Sequence, residues 1–199
     1  ADALDEMLKL DCELFLPGHG FPIIGKARIK LALETTSSFL RTIEDQTLKL
    51  MNQGKSLNQV LHEVEIPENL MNHAWLTPIY DDPQFLIRMI WRRYGGWWDG
   101  EYDRLLPSPR KAEAIAWVEL SGGIENIISK ALEQSNQENY AVAAHLIETA
   151  FHADHSNEKT HKARSEIYRK FSLKQSSSMG RNILNLSLIH ISEPTRPRL

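Results

Sequence analysis

The chain has 199 residues and a formal net charge of −3, and 42% of its residues are hydrophobic and 25% charged. This composition is typical of one globular domain, or of one domain with the edge of another, and it lacks the basic stripe that nucleic-acid binding requires. Cys12 is the only cysteine, which excludes an intramolecular disulfide and a cysteine-cluster zinc site, and the apolar runs are too short to span a bilayer.

Both ends of the sequence indicate a piece of a longer protein. The first residue is Ala1 rather than a methionine, so we expect the true start, with any targeting signal, to lie upstream. Residues 187–199 resemble the translation of a sequencing adaptor, and we treat 185–199 as a non-native tail.

The first element in chain order is a short apolar run, residues 14–16, which ends at Pro-Gly-His-Gly, where the histidine is His19. Such a run, bounded by Gly and Pro, predicts a buried strand that delivers His19 to a loop at its carboxyl end. Ligands collect at strand ends in α/β folds. A lone histidine is nevertheless more often a packed or solvated residue than a ligand, and spacing alone favours that interpretation.

After Gly25 the apolar residues recur at three- and four-residue steps, which predicts helices and no further strands. The first helix is expected to end at residues 52–54, where Gly54 supplies the cap. Ser56 with Gln59 three residues later is a capping box that predicts the next helix start. Residue 67 should end that helix and open a brief turn, followed by a linker through Trp75.

Two later starts carry the same pair of signals, an N-cap residue followed by proline at the first helical position: Asp82-Pro83 and Ser108-Pro109. The last third predicts three more helices, near residues 124–132, 140–151 and 163–171. Alanines among its larger apolar residues favour close helix packing, as in tetratricopeptide-type hairpins. One such unit cannot bury both faces, so it should pack on earlier helices or form a subunit contact.

An aromatic stretch at residues 91–100 stands where the third helical run must stop, because Gly95-Gly96 breaks it. Trp97 and Trp98 should then lie on a turn. The more frequent role for such rings is packing between helical layers. The alternative is that Tyr94, Trp97 and Trp98, with nearby arginines, line an apolar site with a basic edge that suits an amphiphilic anion.

Four stretches together resemble one family: Leu16-Pro17-Gly18-His19-Gly20, Asp45-Gln46-Thr47-Leu48, Ile90-Trp91-Arg92-Arg93-Tyr94-Gly95-Gly96-Trp97-Trp98-Asp99-Gly100 and Ala163-Arg164-Ser165-Glu166-Ile167-Tyr168. They are similar to the linear alkyl sulfatases of the metallo-β-lactamase superfamily, at the junction of the zinc hydrolase domain and the helical dimerisation domain. The resemblance implies a mainly α fold with tetratricopeptide-like hairpins. It places a remnant of the αββα hydrolase domain at 1–26 and an all-helical dimerisation domain at 27–184.

The resemblance also implies a function, hydrolysis of sulfate esters of long-chain alcohols by a homodimer with two zinc ions per active site. His19 matches the family's last metal ligand, and Tyr94, Trp97 and Trp98 would wall the channel for the alkyl chain. The superfamily's main zinc element, His-x-His-x-Asp-His, is not in this sequence. One histidine cannot hold two zinc ions, so we expect the chain alone to be inactive and the enzyme assignment to belong to the parent protein.

Two alternatives stay open at this point. The chain could be a non-catalytic helical module that pairs with itself or with a partner protein, and the upstream sequence would decide between this and the sulfatase.

His145 and His152 lie two helical turns apart, with His155 and His161 near the helix end. This spacing could chelate a metal, but solvated or capping histidines explain it better.

Overall fold

The computed structural model describes residues 1–192, with side chains through residue 186. The expected mainly helical fold is confirmed. Its helices are α1 (Asp2–Leu8), α2 (Lys26–Asn52), α3 (Leu57–Glu63), α4 (Glu68–Met71), α5 (Pro83–Gly95), α6 (Arg110–Leu120), α7 (Ile124–Asn136), α8 (Tyr140–Ala153), α9 (Glu158–Leu173) and α10 (Ser178–Ser192). Two compact units divide the chain, one formed by Ala1–Pro78 with Pro83–Leu105, the other by Ile79–Asp82 with the residues from Leu106 onwards.

The first unit is built on α2. Apolar residues spaced four apart, such as Phe39 and Ile43, give this helix a buried stripe. Helices α3 and α5 pack against that stripe and supply the other half of the core. The buried members of this core are Phe39, Ile43, Val60, Leu61, Leu70, Leu76, Ile87 and Trp91.

The predicted end of α2 and the predicted start of α3 are confirmed. The chain leaves α2 through Gly54, which has a φ of +77° that glycine adopts without strain. The Ser56 hydroxyl accepts from the Gln59 amide at 3.4 Å, and the Gln59 side chain accepts from the Ser56 amide at 2.9 Å. These reciprocal bonds form a capping box, which satisfies two amides at the start of α3.

The strand before His19 is present, but it is not buried within this chain. Strand β1 (Leu14–Phe15) pairs antiparallel with β2 (Ile23–Ile24), with Leu14 opposite Ile24. Leu14 is 53% exposed and Ile24 69% exposed. The prediction of a buried strand was wrong because a two-stranded ribbon has no neighbouring strand or helix layer to cover both of its faces.

The segment around Trp75 is part of the core rather than a linker. Residues Ala74–Leu76 form a 3₁₀ turn, and Leu76 is buried. The Trp75 indole N–H donates to the Thr35 hydroxyl at 3.1 Å, which ties the turn to α2. A three-residue turn held by one buried apolar side chain is too short to show a periodic hydrophobic pattern. The sequence therefore indicates only the residues that break the neighbouring helices.

Helices α7, α8 and α9 form the core of the second unit. Ala131, Ala143 and Ala150 are fully buried where these helices meet, and small side chains allow the close approach. Ile147 and Ile167, also fully buried, fill the space between them. The predicted helices are therefore present, while their likeness to tetratricopeptide hairpins stays a prediction.

Helix α10 is the main element that the sequence analysis did not predict. Ser177 is buried just before it, and its hydroxyl donates to the Tyr80 carbonyl at 2.6 Å and accepts from the Gly180 amide at 3.1 Å. Helix α10 packs against α9. The expected non-native tail, 185–199, overlaps the last turns of this helix, and its residues 193–199 lie outside the described part of the chain.

Helix α6 begins one residue later than predicted. Pro109 occupies the N-cap position, and no side chain caps the helix, so the expected Ser108 cap was wrong. Ala114 is the buried residue of the helix. Trp117 and Leu120 are 53% and 77% exposed, so this helix presents apolar side chains to solvent.

Candidate functional site

The aromatic stretch forms a turn that folds back on its own helix. Helix α5 ends at Gly95, and Gly96 follows with a φ of +82°. Trp91, buried in the first core, donates its indole N–H to the Trp98 carbonyl at 2.8 Å. One buried tryptophan therefore fixes the path of the turn that carries the other two.

The turn is also fixed to the start of α3. The Leu57 amide donates to the Asp99 carbonyl at 2.8 Å. Gly100 has a φ of +85°, and a Cβ on it would lie 3.0 Å from the Ser56 Cα. Only glycine allows this close backbone approach without a shift. The Asp99 carboxylate accepts from the Glu101 amide at 3.0 Å, which closes the turn.

The three aromatic residues singled out by sequence have different surroundings. Tyr94 is 51% exposed and donates to the Glu44 carboxylate at 2.9 Å, a bond that raises the pKa of the phenol. Trp97 is 82% exposed. Trp98 is half-buried, and its ring meets Tyr102 edge-on with centroids 5.8 Å apart. Packing between helical layers therefore describes Trp91 but not Trp97.

Two arginines lie beside this turn, and each is in contact with a neighbouring side chain. The Arg93 guanidinium lies 5.4 Å from the centre of the Tyr94 ring, a distance that permits a cation–π contact. Arg104 pairs with Asp99 at 3.0 Å on the other side of the turn. The turn therefore combines exposed aromatic surface with two guanidinium groups.

His19 lies in the loop between β1 and β2, and its side chain is exposed. Within residues 1–192, no group of three or more His, Cys, Asp or Glu side chains is placed to hold a metal ion. The described residues alone therefore do not fit a zinc site. His19 could supply one ligand only if the others came from outside this segment.

Three of the later histidines, His152, His155 and His161, gather around the Phe151 ring. His155 stacks on Phe151 with centroids 4.5 Å apart, and His161 meets the same ring edge-on at 5.6 Å. Burial lowers the pKa of His152, the third member, although Glu148 opposes this shift. His145 and His155 are exposed, as expected for solvated histidines, whereas His152 and His161 are half-buried against Phe151.

Beneath that cluster is a partly buried ion pair that the sequence analysis missed. Arg164 donates from Nε to the Glu148 carboxylate at 2.5 Å, and its guanidinium covers Phe151 at 4.1 Å. Burial raises the pKa of the neighbouring Tyr168, with Glu148 adding to the shift. The pairing joins α8 to α9 across 16 positions, so no local spacing rule could have found it.

The alkyl sulfatase dimerisation family model matches residues 56–189. The chain belongs to this family. Among curated relatives, it is 25% identical over 169 residues to a linear primary-alkylsulfatase of a Pseudomonas species, covering 84% of this chain and 32% of that protein. It is 23% identical over 170 residues to the alkyl/aryl-sulfatase BDS1 of Saccharomyces cerevisiae, covering 85% and 26%.

Solved structures show the same fold. A double mutant of the sec-alkyl sulfatase PisA1 superposes with a TM-score of 0.91 at 19% identity, covering 100% of this chain and 32% of that one. The stereoselective inverting sec-alkylsulfatase Pisa1 from Pseudomonas sp. gives 0.90 at 20% identity, covering 98% and 31%. The chain thus spans between about a quarter and a third of the length of these relatives. Among the described residues, no helix has the length and apolar character to cross a membrane.

Proposed function

We propose that this chain pairs two copies of an alkylsulfatase as a homodimer. The observation that carries the proposal is the match of the dimerisation family over residues 56–189, which includes every helix from α3 to α9. The second unit supports it, because its core is complete while α6 still exposes apolar side chains. An exposed apolar helix face is typical of a protein contact.

Light scattering and sedimentation velocity on the purified chain test this proposal. We expect the mass of two chains at micromolar concentration, with dissociation only on strong dilution. A single-chain mass across the whole concentration range would contradict it.

For the whole protein, we propose hydrolysis of sulfate esters of long-chain alcohols, such as dodecyl sulfate. The support is that several relatives of this chain are named alkylsulfatases. Sulfate release by the full-length protein measures this activity. The chain alone should release none, since its described residues form no complete metal group.

The zinc proposal concerns His19, which we propose as one ligand of a site completed by residues outside this chain. The ions would polarise the ester and lower the pKa of a bound water. We expect His19→Ala in the full-length protein to lower the zinc content, measured by mass spectrometry, while His62→Ala on α3 leaves it unchanged. Equal zinc in both variants would remove His19 from the site.

The aromatic proposal is that Tyr94, Trp97 and Trp98 wall the path of the alkyl chain. The exposed indole of Trp97 on this turn supports it, because long apolar chains bind by burying apolar area. We expect Trp97→Ala and Trp98→Ala to raise KM more for long-chain esters than for short ones. Trp75→Ala is the matched control, and a rise that does not depend on chain length would count against the proposal.

A second candidate function is a helical interaction module without chemistry. It is favoured by the lack of a complete metal group among the described residues. Sequencing the transcript upstream of residue 1 separates the two. A His-x-His-x-Asp-His element after an apolar strand supports the sulfatase, and a coding sequence without it supports the module.

A further inference from the structure

A contact between two side chains joins the start of helix α6 to helix α8. Helix α6 follows Pro109, and no side chain caps its first turn. Its first residue, Arg110, reaches α8, where the guanidinium Nη1 lies 3.4 Å from Nε2 of His152. Helix α8 is also the main neighbour of α6. The contact therefore affects how firmly the amino-terminal turn of α6 is attached.

The chemistry of the two groups fixes the direction of this hydrogen bond. A guanidinium carries donors only and keeps its charge in proteins. Nε2 of His152 must therefore accept from Arg110, which requires a neutral imidazole with its proton on Nδ1. A protonated imidazole has an N–H on both nitrogens, so it cannot accept this bond, and its charge repels the guanidinium.

The same nitrogen also faces a carboxylate. Oε2 of Glu148, one turn earlier on α8, lies 3.8 Å from Nε2 of His152. The other oxygen of that carboxylate, Oε1, accepts from Nε of Arg164 on α9 at 2.5 Å. Nε2 is thus placed between a donor that only the neutral ring can use and an acceptor that only the protonated ring can use.

The surroundings of His152 keep its ring neutral near pH 7. Burial lowers the pKa of the imidazole below 6.5, Glu148 opposes this shift, and three further groups add to it: Arg110 from α6, His155 after α8 and Arg164 from α9. The side chain is still 25% exposed, so protons can reach it. The ring therefore takes up its proton only in acid.

Once His152 is charged, three cations face the carboxylate of Glu148. Arg164 is bound to that carboxylate, its guanidinium lies 4.1 Å from the centre of the Phe151 ring, and its side chain is only 15% exposed. Arg110 is exposed and stands at the amino-terminal end of α6, where the helix dipole disfavours a cation. Arg110 is therefore the cation that moves into solvent.

We propose that His152 is a pH-dependent switch: the neutral ring holds Arg110 and the start of α6 against α8, and the protonated ring pairs with Glu148 and releases them. The switch does not depend on the proposed dimerisation, because all of its groups belong to the second unit of one chain. Its consequence is that α6, the helix that exposes Trp117 and Leu120, loosens in acid while α7, α8 and α9 keep their shared core.

Nitrogen-15 NMR of the histidine rings tests the state in which the switch is closed. At pH 7.5 we expect the ring signal assigned to His152 to have an unprotonated Nε2 and a protonated Nδ1. A neutral ring with its proton on Nε2, or a charged ring at this pH, would overturn the inference, since neither can accept from Arg110.

Hydrogen exchange measured by mass spectrometry on the purified chain tests the release. Between pH 7.5 and 5.0, after correction for the intrinsic exchange rate, we expect the protection of α6 peptides to fall about fivefold, the effect of losing one hydrogen bond of average strength. Peptides from α7 should keep their protection. A wild-type α6 whose protection does not change, or falls no more than that of α7, would overturn the switch.

Two variants of α8 provide the comparison. His152→Gln retains a side-chain oxygen that accepts at every pH, so the protection of its α6 should not depend on pH. His145→Gln replaces an exposed histidine of the same helix and should behave as the wild type. An equal fall in His152→Gln and the wild type would assign the acid response to other groups. If His152→Gln does not fold, the wild-type tautomer and the wild-type exchange of α6 against α7 decide.

Discussion

At the scale of single residues, Gly100 combines a positive φ with a close approach to the Ser56 backbone. Alanine there would take a φ of +85° and meet the Ser56 backbone at 3.0 Å. We expect Gly100→Ala to lower the free energy of unfolding by roughly 2–4 kcal/mol, the sum of strain and overpacking. Urea unfolding measures it.

Gly54→Ala provides the matched control for that experiment. Gly54 has a similar φ of +77°, but a Cβ on it would have no heavy atom within 4 Å. The cost should therefore be the strain alone, roughly 1–2 kcal/mol. Equal losses at the two positions would show that the approach of the turn to α3 does not restrict residue 100.

His152 makes stability depend on pH with a defined sign. Burial, and next Arg110, His155 and Arg164, lower its pKa in the folded state, while Glu148 opposes them. The unfolded chain, with a value near 6.5, then binds more protons, so stability rises with pH. This contribution is complete above pH 6.5 and is lost as pH falls through 6.5 toward the lowered folded value.

Replacing the imidazole tests that sign. We expect His152→Gln to lose less unfolding free energy than the wild type between pH 7.5 and 5.5, measured by urea unfolding at several pH values. A steeper or identical loss in the variant would assign the acid sensitivity to other groups of the second unit.

At the scale of elements, the helix starts show which of the predicted N-caps form in the structure. Ser56 has both bonds of its capping box, whereas Ser108 precedes a helix whose N-cap is Pro109. We expect Ser56→Ala to cost about 1 kcal/mol of unfolding free energy. Ser108→Ala should cost no more than a few tenths, as at an ordinary surface position. A similar loss in both variants would mean that the hydroxyl of residue 56 acts outside the cap.

The contrast between these helices shows what could be predicted. The ends of α2 and the starts of α3 and α5 follow from residues a few positions apart, because caps and breakers act locally. The exposure of β1 and of Trp117 and Leu120 on α6 could not be predicted, since an apolar residue indicates burial but not which part of the protein covers it. The sequence predicted that the helix breaks at the aromatic turn. The Trp91 bond to Trp98 and the approach of residue 100 to Ser56 depend on the tertiary fold, and no local pattern indicates them.

At the scale of the whole molecule, pairing should make stability depend on protein concentration. If the native state is a dimer and the unfolded state a monomer, mass action favours the native state at higher concentration. Each tenfold increase should add about 1.4 kcal/mol to the apparent free energy of unfolding per dimer. We therefore expect the urea midpoint to rise steadily from 0.5 to 50 µM chain.

The same measurement on Trp117→Glu, which places a charge on an exposed side chain of α6, tests whether this helix contributes to pairing. A variant that stays folded but cannot pair should have a midpoint that does not depend on concentration, equal to that of the wild type at high dilution. Trp97→Glu, the same charge on a tryptophan of the first unit, should keep the wild-type rise, because residue 97 is not part of α6. A wild-type midpoint that is flat over the whole range would mean that the chain gains no stability from a second copy, whatever face it exposes.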